Sequence, residues 1–300
     1  MGYFFLMISV LAGAAKGYCG KKTSNYVDSG RSIIFANIIR MILCSVIGVV
    51  LIFAGENMKY ITWDIKILAI SALSGITTSL FVIFWLISVK KSAYMMLDVF
   101  LMIGVVVTLI LSSIFFKEQV TVTQWIGIAV LFAAVLIMYS YNNTIKAKMS
   151  LSSFLLLISC GVSNGLSDFS QKLFVKQANG VPIMIFNCYT YIFSAVTLII
   201  VYFIITKKDN AKGNQQNTLK CFRKIFGYIS VMSVCLFLSS YFKTSAAGLL
   251  DAAQIYPLSQ GCALMLSSLM TALFFGEKIT LRGAAGIILA FIALIIINVL

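Results

Sequence analysis

Apolar runs and short polar breaks alternate along the whole chain. A bilayer core about 30 Å thick needs about 20 mostly apolar residues per helical span. Measured with that ruler, the first half predicts transmembrane helices over 2–21, 31–54, 66–89, 92–116 and 121–141. The second half predicts them over 151–174, 181–206, 222–243, 247–275 and 280–299. Most connections are short, and the one long loop is expected at 207–221, KKDNAKGNQQNTLKC. The first run has no preceding positive charge and is followed by further spans, so 2–21 reads as a retained helix, not a cleaved leader.

The ten runs are not independent. Residues 115–128, FFKEQVTVTQWIGI, and 274–287, FFGEKITLRGAAGI, align without a gap at an offset of 159. Phe115, Phe116, Glu118, Thr121, Gly127 and Ile128 all recur identically. The expectation is a duplicated five-helix unit, with repeats at 1–145 and 146–300. Because each unit has an odd number of spans, the second copy enters the membrane from the opposite side. The expected fold class is therefore an all-α membrane protein of ten transmembrane helices in two inverted five-helix repeats. Inverted repeats recur in secondary transporters, since oppositely oriented halves can exchange conformations and open alternately to each side.

Composition agrees and removes several chemistries. Hydrophobic residues make up 61% of the chain, charged residues 11%, and the mean hydropathy is +1.01. A soluble chain devotes roughly a quarter of its positions to charge. Histidine is absent and the seven cysteines are scattered singly, so neither a metal site nor a redox pair is expected, and no cofactor. No Walker motif is present, which removes ATP as the direct energy source. The net charge of +14 is assigned to membrane orientation and not to nucleic acid. Connections after the odd-numbered helices carry fifteen Lys and Arg and those after the even-numbered ones six. The positive-inside rule then puts both termini outside.

An apolar helix, then F-F-x-E, then a Thr and a Gly-containing apolar helix resembles the EamA-type repeat of the drug/metabolite transporter superfamily. The resemblance covers essentially the whole chain. Arg40 in ANIIRMIL falls where that family often carries an arginine, and Pro257 in AQIYPLS matches the proline of the penultimate helix of each repeat. At the same offset the first half has Asp98, in MMLDVFLM, in place of a proline. That departure marks Asp98 as the residue expected to set this member apart. The resemblance implies export or exchange of small metabolites or drugs through a central cavity lined by helices one to four and six to nine. It implies no catalytic motif, and it favours cytoplasmic termini, against the charge count.

Charged side chains inside spans cost about 2.5–3.5 kcal/mol each at a helix centre, so they face a cavity or a partner. Lys16, Arg40, Asp98 and Asp168 are in this position. The first three sit at depths that agree within about 6 Å at 1.5 Å per residue. Two readings stay open for them: a structural ion pair or triad, and a substrate or proton site in which Asp98 takes a proton or an amine while Lys16 or Arg40 holds an anion. Snorkelling of Lys16 to the interface is a third. Asn164, Asp168 and Gln171 share one face of helix six, directed to the cavity or to a neighbouring helix, with a solvated helix-end aspartate as the alternative. Asp251 and Lys243 are expected at the interface.

Glu118 and Glu277 begin tight turns and are expected to satisfy N–H groups at the start of the helix that follows each, a structural role. Trp63 and Trp125 fit an interfacial belt. Trp85 and Tyr256 are the aromatic candidates for a cavity wall. The leading function is a secondary transporter of a small polar or amphipathic metabolite by alternating access, coupled to protons or to a counter-substrate. Its expected partners are that small-molecule substrate and membrane lipid, as a monomer or homodimer in a bacterial plasma membrane. A flippase for lipid headgroups or lipid-linked sugars is the alternative within transport, and a non-transporting structural or regulatory membrane protein the alternative outside it.

Overall fold

The computed structural model describes residues 1–27, 30–91, 94–141, 151–178, 180–208, 215–275 and 281–299. Within them the chain forms α1 (Gly2–Ser24), α2 (Gly30–Ala54), α3 (Ile65–Lys91), α4 (Tyr94–Phe116) and α5 (Val122–Tyr141). The second half forms α6 (Leu151–Gln177), α7 (Ile183–Lys208), α8 (Gln215–Ala247), α9 (Ala252–Phe275) and α10 (Leu281–Val299). A single 3₁₀ turn, Asn57–Tyr60, interrupts the α2–α3 connection. The boundaries follow the apolar runs except at α8. That helix begins at Gln215, inside the expected loop, and runs on to Ala247, so Lys243 lies within it.

The ten helices do not pack as two separate bundles. α1 lies against α8 and, equivalently in the other repeat, α6 lies against α3. The pairs α2–α7, α4–α9 and α5–α10 each join a helix to its counterpart. Every helix thus has a chief neighbour in the opposite repeat, the arrangement an inverted duplication generates when its copies interleave. Ten spans return the chain to its starting side. Both termini therefore share one face, here the terminal face, with the α2–α3, α4–α5, α6–α7 and α8–α9 connections.

Without a hydrophobic drive between helices in lipid, close contact depends on small residues and interhelical hydrogen bonds. Both occur at equivalent crossings. Ser9 Oγ donates to the Ser239 carbonyl at 2.8 Å and Ser239 Oγ donates to the Ser9 carbonyl at 3.0 Å, fastening α1 to α8. On α3 and α6, the Thr78 and Ser167 hydroxyls are 3.1 Å apart. At the α4–α6 crossing a Cβ on Gly104 would sit 2.6 Å from the Gly161 carbonyl oxygen and 2.9 Å from the Gly165 nitrogen. Only glycine allows these backbones to meet, and Thr108 Oγ1 then donates to the Gly165 carbonyl at 2.9 Å.

Among the described residues, six helices are long and apolar enough to cross a membrane, and α4, α5 and α10 contain shorter apolar stretches. α6 meets neither description, and its burial explains why. From Cys160 to Phe174 it is almost wholly enclosed by α3, α4 and α8, with Asn164, Asp168, Gln171 and Lys172 all buried. Its polar residues meet protein and not lipid, so it needs no apolar surface.

Candidate functional site

A polar cavity of about 100 Å³ lies within the helix bundle. Its wall is drawn from α1, α3, α4, α6, α8 and α9, and among the described residues α2 and α7 contribute none to it. α5 and α10 also stand outside it, packed on one another. Ser9, Gly13, Lys16 and Gly17 come from α1, Phe81 and Trp85 from α3, Asn164 from α6, Lys243 from α8, and Ser259 and Gln260 from α9.

A buried ion pair stands at this wall. Lys243 Nζ donates to both carboxylate oxygens of Asp168, at 2.7 and 2.8 Å, with Asp168 3% and Lys243 9% exposed. Two charges removed from water are tolerated when each satisfies the other at close range. Tyr256 braces the pair from α9. Its hydroxyl donates to the Asp168 backbone carbonyl at 2.8 Å, and the Lys243 ammonium stands 5.5 Å from its ring centroid. Tyr256 is fully buried and supports the pair from behind, outside the cavity lining. Pro257 follows it inside α9, where its missing N–H leaves the helix one backbone bond short.

The interfacial expectation for Lys243 is thereby overturned. Extension of α8 to Ala247 carries Lys243 a full turn inward from the helix end, where Asp168 neutralises it. Asp251 is exposed, at the terminal face. The solvated helix-end alternative for Asp168 also fails, because α6 continues to Gln177 and buries the carboxylate.

Lys16 and Arg40 have different surroundings. Lys16 lines the cavity, half-buried, 5.8 Å from the Phe81 ring centroid and close enough to Asp168 to act on it electrostatically. Arg40 is 3% exposed in α2, outside the cavity wall. It donates from Nη1 to Asn37 Oδ1 on its own helix at 3.4 Å, and its backbone carbonyl accepts from Ser233 Oγ at 3.2 Å. The Asp98 backbone lies in α4, three residues before the cavity residue Leu101, and its side chain is outside the described residues. Asn164 lines the cavity, with its Nδ2 buried and without a hydrogen-bond partner among the described residues. Trp85 also lines it, and its ring fills the space that a side chain at Gly20 of α1 would need.

Glu118 does cap a helix, but not the one that follows it. Its Oε2 accepts from the Ala252 N–H at 3.0 Å, at the start of α9 in the other repeat. Its Oε1 meets Lys172 Nζ at 3.1 Å and Lys176 Nζ at 3.5 Å. Lys172, 1% exposed, also donates to the Leu250 carbonyl at 2.8 Å. The α4–α5 turn is therefore tied to α6 and to the α8–α9 connection at the terminal face. The N–H at the start of α5 finds a local acceptor instead, since Thr121 and Gln124 cap each other reciprocally. Glu277 lies outside the described residues.

Sequence reading missed Lys243, Lys172 and Gln260 as parts of the interior. A signal was present for the two lysines: Lys172 lies within the expected span 151–174, four residues after Asp168 on its polar stripe, and Lys243 moves into the interior once its span is extended by a turn.

A solved crystal structure described only as "Crystal structure of protein" matches with a TM-score of 0.71 over 99% of this chain and 96% of its own, at 9% identity. At that identity the likeness is one of fold alone. No curated protein sequence matches the chain. A family model, EamA-like transporter family, matches twice, at residues 1–140 and 151–299. These two matches together span nearly the whole chain and fall on its two five-helix halves, so this multi-pass membrane protein belongs to the EamA-like transporter family.

Proposed function

We propose that the protein is a secondary transporter that moves a small polar or amphipathic metabolite by alternating access of its two inverted halves. The observation that carries the reading is the buried Asp168–Lys243 pair at the wall of the intramembrane cavity, with Lys16 beside it. A charged pair that served packing alone would be matched in stability by apolar residues of similar size. Beside a cavity it can exchange partners: a substrate anion takes Lys243 or Lys16, or a proton takes Asp168. The cavity, about 100 Å³, is well below the ~300–1,000 Å³ of ligand sites, so loading requires the halves to part. The Asp168–Lys243 pair and the Glu118 ties stand on the terminal side of it and would open for access from there.

Orientation follows the charge count, which the fold strengthens. Of the six cations assigned to the terminal face, Lys172 and Lys243 are buried in ion pairs and do not act as loop charges. We accordingly assign the opposite face to the cytoplasm of a bacterial plasma membrane.

The test is a substrate panel read by thermal shift, then by flux in proteoliposomes with and without a pH gradient. The reading expects Asp168→Asn to abolish gradient-driven flux and Lys16→Gln to weaken binding of the substrate found. Unchanged flux and unchanged pH dependence in both variants would reduce the pair to a structural element and favour a non-transporting protein.

A further inference from the structure

Four helices close a ring around a second polar region, at the depth of the Asp168–Lys243 pair. Lys243 Nζ donates to Asp168 between α8 and α6, and the Thr78 and Ser167 hydroxyls meet between α3 and α6. Ser240 Oγ donates to Asn187 Oδ1 at 3.0 Å between α8 and α7. Between α3 and α7 the backbones themselves approach: a Cβ on Gly75 would stand 2.7 Å from the Thr190 carbonyl oxygen. α7 gives no described residue to the cavity wall, so the ring is distinct from the cavity, and Lys243 stands in both.

Apolar residues shut the ring on both sides. On the terminal side Phe174 of α6 and Phe186 of α7 stack with centroids 4.2 Å apart, beside Ile67 and Ile70 of α3. On the opposite side Val82, Tyr191, Leu236 and Phe237 pack together with residues of α2. Between these clusters the polar atoms do not satisfy one another. Gln171 Oε1, Asn187 Nδ2, Thr190 Oγ1, Thr244 Oγ1 and Ser71 Oγ are buried, and none has a hydrogen-bond partner among the described residues. All five residues are at most 7% exposed. Each lies within about a turn of a joint: Gln171 follows Asp168, Thr244 adjoins Lys243, Thr190 follows Asn187, and Ser71 precedes Gly75. Native interiors leave few buried polar groups unpaired, so such a concentration marks a binding site.

The atoms also select its occupant. Gln171 Oε1 can only accept and Asn187 Nδ2 can only donate, while the three hydroxyls do either. A cation would meet Asn187 Nδ2 and the Lys243 ammonium, and an anion would meet Gln171 Oε1 and the Asp168 carboxylate. A small neutral molecule that both donates and accepts suits all five groups, and water is that molecule.

We propose that the α3–α6–α7–α8 ring is a water site and that its water is the reserve partner of the ion pair. When a proton or a substrate parts Asp168 from Lys243, this water and the groups that hold it solvate the ion left behind, without access to bulk solvent. The reserve role rests on the pair parting during transport; the water site itself does not. The charged and titratable groups described around Asp168 are Lys243 from α8, Lys16 from α1 and Tyr256 from α9, and α3 adjoins it with the Thr78 hydroxyl. The ring is thus the source of neutral partners for either ion.

The test is radiolytic hydroxyl labelling of the full chain in phosphatidylcholine nanodiscs, read at Phe174 and Phe186 and normalised for side-chain reactivity. Both residues are at most 1% exposed, so enclosed water is what can label them. They should be labelled severalfold above Leu157, which is equally buried in the apolar cluster toward the opposite face. Thr190→Val with Thr244→Val, changes that keep side-chain shape, should remove most of that difference and lower the thermal midpoint. Thr190→Val alone replaces the two changes if that chain does not fold. Labelling no higher than at Leu157, or a midpoint that rises when the hydroxyls go, overturns the water site. The reserve role is tested by repeating the two valine changes in Lys243→Ala, where Asp168 has lost its lysine; Lys243→Gln takes its place if that chain does not fold. The midpoint should fall about twice as far as in the wild-type background. Equal falls overturn the reserve role and leave the transport site standing. Unchanged flux in Asp168→Asn overturns the transport reading and with it the reserve role, while the labelling still decides the water site.

Discussion

Toward the terminal face, the cavity ends against ions: Asp168 with Lys243, and beyond them Glu118 with Lys172, Lys176 and the first N–H of α9. Toward the opposite face, a mostly apolar cluster packs beside the cavity, with Thr23 Oγ1 donating to Met232 Sδ at 3.7 Å. Cys19, Trp85, Leu86, Leu97, Leu101, Ile229 and Met232 close together there, and Tyr18 meets Phe274 edge-on with centroids 5.5 Å apart. Both ends unite helices from the two repeats, so both must separate if the halves rock. Their chemistry makes separation a different event at each end. Apolar contacts are non-directional and yield gradually as area is exposed. A buried ion pair is directional, and once broken it leaves two charges that need new partners. Parting the ion pairs at the terminal face therefore depends on a replacement ion or proton, whereas parting the apolar cluster at the other depends on packing.

The largest effect should come from unbalancing the inner pair. Lys243→Ala strands a carboxylate that is 3% exposed, and removing one partner of a buried pair costs about 3–5 kcal/mol. Thermal denaturation in detergent should show that loss, and the Asp168→Leu/Lys243→Met double variant should regain most of it while flux stays absent. Recovery of both stability and flux in the double variant would mean that the pair is a packing feature and the comparison between the two ends has no functional content.

A smaller effect is expected at the outer tie. Glu118→Gln keeps an acceptor for the Ala252 N–H but removes the charge facing Lys172, whose remaining described acceptor is the Leu250 carbonyl. Hydrogen bonds to charged groups contribute about 1.5–3 kcal/mol, which sets the expected loss of stability. The Lys176 arm is 46% exposed and should weaken in high salt, while the enclosed Lys243 pair should not. Measuring the denaturation midpoint against salt concentration for wild type and Glu118→Gln separates the two ties. A salt response that persists unchanged in the variant would place the screened interaction elsewhere.

The scaffold was more legible than the site. Ten apolar runs and one repeated F-F-x-E segment are signals that lipid solvation imposes directly on sequence, and the helices follow them closely. The site departs from those signals in a consistent way. α6 is enclosed by protein, so its polar stripe obeys interhelical partners that no single segment reveals. Lys243 looked interfacial because hydropathy falls before its helix ends, and only its contact with Asp168 allows the span to continue. Glu118 was recognisable as a cap from the turn around it, yet its target is Ala252, more than a hundred residues away. Local spacing cannot predict such a target, because interleaved repeats put the start of α9 beside the α4–α5 turn.

The smallest effect should appear at the apolar end. Trp85 is 5% exposed and reaches across to Gly20 of α1, so Trp85→Phe removes part of a buried ring without introducing charge. Large-to-small changes of this modest size cost about 1–2 kcal/mol. The diagnostic quantity is the pattern of the loss. If this end opens by packing alone, Trp85→Phe should shift stability and flux without altering the dependence of flux on pH or salt. The Asp168 and Glu118 variants should alter both dependences. A change in pH dependence on replacing Trp85 would show that the two ends are coupled through α3 and α6, whose Thr78–Ser167 hydroxyl contact lies between them. The contrast would then belong to one connected device and not to two independent closures.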